Sequence, residues 1–269
     1  MPEPWLTLLT LVVGFATGML SGMFGVGGAV ISTPAVRTLG ASPIEAVGST
    51  LPSIIPSSIT GSLRYARAGL IRGRVFLVTG LCGATASIGG AVLAEVVPGG
   101  GHVLMLATAL LIAVTAYRMR QGPTETEVTD TELAVVDTVA TITHDDTWWK
   151  LVMIGVAAGL LSGLLGIGGG ILLVPMFTTW LHLEVKEAVG TSLACVGLLA
   201  IPGTITHSVL DNVEWSFAIP LAISAIPGAW IGSRFTIGAS ERTIRLLVAS
   251  VLGTVAVIYA VLELVALFG

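Results

Sequence analysis

The sequence predicts an all-α polytopic membrane protein built from two inverted repeats, each a glycine-broken, re-entrant helical hairpin followed by three transmembrane helices. Three observations carry this: the composition, an internal duplication, and the placement of the basic residues. Of 269 residues, 54% are hydrophobic and 10% charged, and the mean hydropathy is +0.95. That leaves too little polar surface to coat a soluble globule. Apolar runs suited to crossing a ~30 Å hydrocarbon core, which takes roughly 17 to 25 residues, fall at 46–62, 75–97, 103–117, 188–205, 216–235 and 246–268. Two further runs, 5–39 and 148–181, are longer and interrupted by glycine. The N-terminus carries Glu3 and lacks the basic residues of a cleavable leader, so the first apolar run is expected to stay in the protein. Cys82 and Cys195 lie in apolar segments and read as small hydrophobic residues.

The duplication is direct. Residues 14–34, GFATGMLSGMFGVGGAVISTP, return at 155–175 as GVAAGLLSGLLGIGGGILLVP, with about half the positions identical. EAVGSTL at 45–51 matches EAVGTSL at 187–193, Gly61 matches Gly203, and Ile88-Gly89 match Ile231-Gly232. The chain therefore divides into a first membrane repeat (1–120), an acidic linker (121–147) and a second repeat (148–269). The linker holds Glu125, Glu127, Asp130, Glu132, Asp137, Asp145 and Asp146 with no Lys or Arg, reads as solvated, and has room for a short helix at 133–139.

Basic residues decide the topology. If all eight segments crossed, Arg64, Arg67, Arg72, Arg74, Arg118, Arg120 and Lys150 would face one side and Arg37, Lys186, Arg234, Arg242 and Arg245 the other, a split of seven to five with little orienting power. If the first segment of each repeat instead turns at its glycines and leaves where it entered, the split becomes eleven to one, with Arg37 alone outside. Three crossings per repeat is an odd number, so the copies face opposite ways. The linker is then cytoplasmic and both termini lie outside.

The chemistry centres on two glycine turns, with Gly25, Gly27 and Gly28 in the first and Gly166, Gly168 and Gly169 in the second. Glycine at this density permits positive φ and close backbone approach, and irregular backbone at membrane depth must be buried in protein or line a cavity. The leg after each turn should start at Ala29 or Ile171, aiming unpaired N–H groups and a positive dipole end inward, which suits an anion. The four-spaced glycines (Gly14, Gly18, Gly22; Gly155, Gly159, Gly163) read instead as close helix contacts, a reading also open for the turns. Ser42-Pro43-Ile44-Glu45 has the form of a capping box, which makes Glu45 a cap, and Glu187 is read the same way. Counting inward at ~1.5 Å per residue brings Ser49, Thr50 and Ser53 to the depth of the glycine turn, beside Pro52 and Pro56; Thr191 and Ser192 keep the hydroxyls in the second copy, without the prolines. Arg64 and His207 follow helix ends and read as interfacial anchors, with guidance of anions as the other reading. No Asp, Glu or Lys sits centrally in any span, so backbone donors and hydroxyls are what an anion would meet.

The doubled GxGG turns with their following Pro34 and Pro175, together with EAVGSTL and EAVGTSL, make the chain resemble the sulfite exporter TauE/SafE family, also called the toluene sulfonate uptake permeases. The resemblance covers both halves, and the long acidic linker departs from it. It implies a multi-pass secondary transporter of the cytoplasmic membrane for sulfite, sulfonates or related small anions, coupled to a proton or ion gradient. The expected partners are thus a small anionic substrate, the bilayer and a coupling ion. No cofactor, metal or nucleic acid is expected.

A passive anion channel and a non-transporting subunit that assists assembly of another complex are the alternatives. An enzyme is not expected. A dinucleotide fingerprint would need glycine three residues after Gly27, where Val30 stands, and no GK[ST] occurs. Ser21 and Ser162 occupy equivalent places in both copies, while His207 is matched by Tyr65, so no single serine has its own base. His102, His144, His182 and His207 lack metal-ligand spacing.

Overall fold

The computed structural model describes residues 4–96, 148–166 and 168–240, with isolated positions beyond them. Eight α-helices occupy these stretches: α1 (Pro4–Phe24), α2 (Ala29–Thr38), α3 (Pro43–Arg67), α4 (Gly73–Val96), α5 (Trp148–Leu165), α6 (Gly170–Trp180), α7 (Val185–Val209) and α8 (Trp215–Gly238). The long apolar runs break at their glycines into α1 with α2 and α5 with α6, and the expected spans at 46–62, 75–97, 188–205 and 216–235 fall on α3, α4, α7 and α8. α6 starts at Gly170, one residue before the expected Ile171. The expected helix at 133–139, the spans at 103–117 and 246–268 and the linker lie outside the described stretches.

α1, α4, α5, α7 and α8 are each long and apolar enough to cross a membrane. Their outward faces carry Leu8, Val12, Leu77, Leu81, Ile201, Ile205, Ile219 and Ile223, while Ser49, Thr50, Ser53, Ser162, Thr191 and Ser192 are buried. An apolar exterior around a hydroxyl-bearing interior fits hydrocarbon as the solvent. The chain is a polytopic, integral membrane protein.

Local sequence explains where helices begin. At α3, Ser42 Oγ accepts the Glu45 N–H at 3.4 Å and Glu45 Oε2 accepts the Ser42 N–H at 2.8 Å, the expected capping box. Glu187 departs from expectation. The residue before α7 is Glu184, which makes no side-chain cap, and the Glu187 carboxylate pairs with Arg72.

The four-spaced glycines form the tightest seams, as expected, but their partners lie in the other repeat. Gly14, Gly18 and Gly22 of α1 meet Leu221, Ala225 and Ala229 of α8 in parallel register; Gly155, Gly159 and Gly163 of α5 meet Thr79, Gly83 and Ser87 of α4 likewise. The first helix of each repeat thus packs on a late helix of its twin. At the centre, α3 and α7 run antiparallel, with Leu51 beside Gly203, Ser58 beside Gly197 and Tyr65 beside Gly190. α3 and α7, equivalent members of the duplication, thus run in opposed directions.

The basic residues follow this arrangement. Arg72 pairs with Glu187 at the start of α7, Lys186 donates to the Ile237 carbonyl at the end of α8 (3.0 Å), and Arg64 and Arg234 both lie over the Trp230 ring. The parallel α4–α5 register sets Lys150 level with Arg74. Arg64, Arg67, Arg72, Arg74, Lys150, Lys186 and Arg234 therefore share one end of the bundle, and Arg37 lies at the other, by the start of α3. Lys186 and Arg234, which eight full crossings would separate from Arg64 and Arg72, sit with them.

Candidate functional site

The two glycine turns meet inside the protein. A Cβ placed on Gly170 would lie 2.5 Å from the Gly25 carbonyl oxygen and against Val26. Gly25 (φ +66°), Gly27 (+70°), Gly166 (+67°), Gly168 (+79°) and Gly169 (+70°) are all left-handed, which allows each chain to reverse within a few residues. Gly28 is the right-handed N-cap of α2 and Gly169 the N-cap of α6.

Neither cap residue has a side chain, so neither helix start is capped by one. The first backbone bonds into these starts come from Ile31 and Ser32 to the Gly28 carbonyl, and from Leu172 and Leu173 to that of Gly169. Among the described residues none accepts from the N–H groups of Ala29, Val30 or Ile171, as expected for the opening turn of an uncapped helix. Each start carries the equivalent of about half a positive charge. α2 and α6 leave the centre for opposite ends of the bundle, so two positive ends are brought together.

Several carbonyls at the turns take a donor from another helix. Tyr65 Oη donates to the Gly22 oxygen (2.8 Å), Thr236 Oγ1 to that of Met23 (2.8 Å), and Ser192 Oγ to that of Gly25 (2.7 Å); the Gly25 N–H takes the Ser21 oxygen (2.9 Å). In the second repeat His207 Nε2 bonds the Gly163 oxygen (2.9 Å), and the Gly166 N–H takes that of Ser162 (2.9 Å). A carbonyl can only accept, so His207 Nε2 carries the hydrogen. His207 is thus no interfacial anchor. It is fully buried, and like its equivalent Tyr65 it satisfies an end carbonyl of the broken helix, which no intrahelical N–H can reach. Removing that donor should show: Tyr65→Phe strands a buried carbonyl and is expected to destabilise the protein by about 1–3 kcal/mol, read as a lower melting temperature in detergent.

The turn glycines and the hydroxyl residues Ser49, Thr50, Ser53, Thr191 and Ser192 are all buried, and their contacts divide them. Ser192 joins Gly25 directly. Thr50 Oγ1 lies 3.2 Å from Thr33 Oγ1 of α2, and Ser53 Oγ donates to the Thr50 carbonyl (2.7 Å). Ser49 and Thr191 are tied elsewhere: they accept the N–H groups of Glu214 (2.8 Å) and Arg72 (3.0 Å), fixing the approach to α8 and α4. The glycines also pair across the repeats. Gly25 packs against Val189 of α7, Gly166 against Val47 of α3, and Gly168 between Val196 and Ile54. Each turn is thus lined by residues of both repeats.

Sequence reading missed the roles of Tyr65, Thr236 and Thr33 and misread that of His207. For Tyr65 and His207 a signal existed, since they are one equivalent pair in the duplication.

Comparison with known proteins shows the family. The chain is 26% identical over 235 residues to the Bacillus subtilis "Probable membrane transporter protein YdhB", covering 85% of this chain and 90% of that protein. It is 26% identical over 262 residues to a "Probable membrane transporter protein" of Methanocaldococcus jannaschii (91% and 92% covered), and 25% identical over 228 residues to one of Xylella fastidiosa (82% and 80%). No solved structure matches. Residues 10–259 match the family described as Sulfite exporter TauE/SafE, so the two-repeat bundle with its paired glycine turns belongs to that family.

Proposed function

We propose that the protein is a secondary transporter that carries small sulfur-containing anions, such as sulfite or organosulfonates, across the cytoplasmic membrane. One observation carries this reading: at the meeting of the two turns, carbonyls at the ends of α1 and α5 are taken up by Tyr65, Thr236, Ser192 and His207, while the starts of α2 and α6 keep their N–H groups uncapped. Those N–H groups are donors left on offer. Two positive helix ends in a low-dielectric interior repel each other unless an anion lies between them. Oxyanions of weak basicity suit such a site because they accept from backbone N–H groups without a formal counter-charge.

The membrane orientation belongs to the same proposal. The gathering of Arg64, Arg72, Lys186 and Arg234 at one end supports a cytoplasmic placement for that end, with the repeats inverted across the bilayer and α1–α2 and α5–α6 as re-entrant hairpins. The sulfur chemistry draws support from the family's description. Purified protein in proteoliposomes is expected to accumulate radiolabelled sulfite above the external concentration when an ion gradient is imposed. Equilibration without accumulation would make it a channel, and no flux with any anion tested would end the transport reading.

A further inference from the structure

We propose that Ser21 and Ser162 are the side chains that select the solute, each donating a hydroxyl hydrogen bond to an oxygen of the anion held at the start of α2 or α6. This rests on the anion-transport reading and goes beyond it by naming the selecting groups and the class of anion they favour.

α1 has two occupied faces. Gly14, Gly18 and Gly22 face α8, whereas Thr17 faces α2: a Cβ on Gly28, the N-cap, would run into the Thr17 side chain and carbonyl. Ser21 follows Thr17 by four residues and so lies on that same face, one turn nearer the glycines. The second repeat repeats the geometry. A Cβ on Gly169 would lie 2.5 Å from the Ala158 carbonyl oxygen and 3.2 Å from its Cβ, and Ser162 is one turn further on. Both serines therefore lie on the helix face that meets the uncapped start of their own hairpin.

Their hydroxyls are unspent. Ser21 is 1% exposed and Ser162 fully buried, and among the described residues neither oxygen has a hydrogen-bond partner. Buried helical hydroxyls normally return their hydrogen to a carbonyl three or four residues back. Ser53, Ser57, Ser58 and Thr60 all do so. Burying a hydroxyl without a partner is costly; Thr17, Ser87 and Thr204 share this state, but Ser21 and Ser162 are the two that recur at equivalent positions in both copies, each one turn from a residue that touches a helix N-cap.

Geometry then favours one class of solute. Backbone N–H groups at a helix start can engage two oxygens of a bound anion, which leaves a planar carboxylate only the second lone pairs of oxygens already engaged. A sulfite or sulfonate has a third oxygen left for the serine. The two hydroxyls thus favour three-oxygen anions over carboxylates of similar size.

The test uses full-length protein in proteoliposomes, with radiolabelled sulfite as the transported probe and methanesulfonate and acetate as competitors. Ser21→Ala and Ser162→Ala are each expected to raise the KM for sulfite about tenfold, the value of a hydrogen bond to a charged group, and to shrink the preference for methanesulfonate over acetate. Melting temperature in detergent should hold or rise, since an unpartnered hydroxyl has been removed, and Ser21→Thr should restore the KM. If the wild-type protein transports sulfite and both alanine variants keep its KM and anion preference, the serine assignment fails while the transport reading stands. A fall in melting temperature that tracks the loss of uptake would make the serines structural and overturn the assignment. A wild-type protein that moves no sulfite would overturn both.

Discussion

Gly168→Val is expected to abolish sulfite uptake, by at least about a hundredfold, while the protein still inserts and can be purified. Gly168 sits at φ +79°, and a β-branched residue there is a genuine conformational outlier. Holding such a residue left-handed costs on the order of 1–3 kcal/mol. The alternative is a backbone that relaxes and swings the first N–H groups of α6 away from the centre. The new Cβ would meet Val196 Cγ1 at 2.9 Å and Ile54 Cδ1 at 3.1 Å, which are ends of flexible side chains and can yield. Packing therefore survives, whereas donor convergence does not, and a misplacement of about 1 Å is enough for losses of this size at an oriented site. Gly27→Val, at φ +70°, should act alike from the other turn. Uptake is compared with the yield of monodisperse protein from membranes; normal transport by both variants would remove the turns from the mechanism.

What could be read in the sequence was what is encoded locally. The break between α1 and α2 falls where the glycines and Ala29 placed it, because only glycine holds φ near +70° without strain. The Ser42–Glu45 box was legible for the same reason, as all its atoms lie within four residues. Glu187 was not, since it is Arg72, far along the chain, that decides its role. The exchange of partners between repeats was equally hidden. A stripe such as Gly14, Gly18 and Gly22 announces that a backbone will come close, and it does not say whose. His207 was misread because the Gly163 carbonyl it serves belongs to another helix. The side preference of Arg and Lys, by contrast, needs no contact map, and the end of the bundle where Lys186 joins Arg72 is the one the re-entrant count groups together.

The second large effect is on assembly. Gly159→Val should leave almost no folded protein to extract, whereas Gly73→Ala, with nothing within 4 Å of the added carbon, should behave as wild type. A Cβ on Gly159 would overlap the Gly83 carbonyl oxygen and lie 2.7 Å from Gly83 Cα and C. All three atoms are backbone, so no rotamer change relieves the clash and the helices must separate. Gly155 on the same stripe allows no slack, since a Cβ there would already lie 2.6 Å from the Thr79 carbonyl oxygen. In a bilayer, apolar side chains gain nothing by leaving lipid, so close van der Waals contact along such a stripe is a main force joining α4 to α5. Once that seam opens, His207 also loses its fixed carbonyl on α5 and is left buried beside an unsatisfied group. Size-exclusion profiles of detergent-extracted protein decide the matter: a Gly159→Val variant that elutes as a single wild-type peak would show that the α4–α5 contact is not what holds the two repeats together.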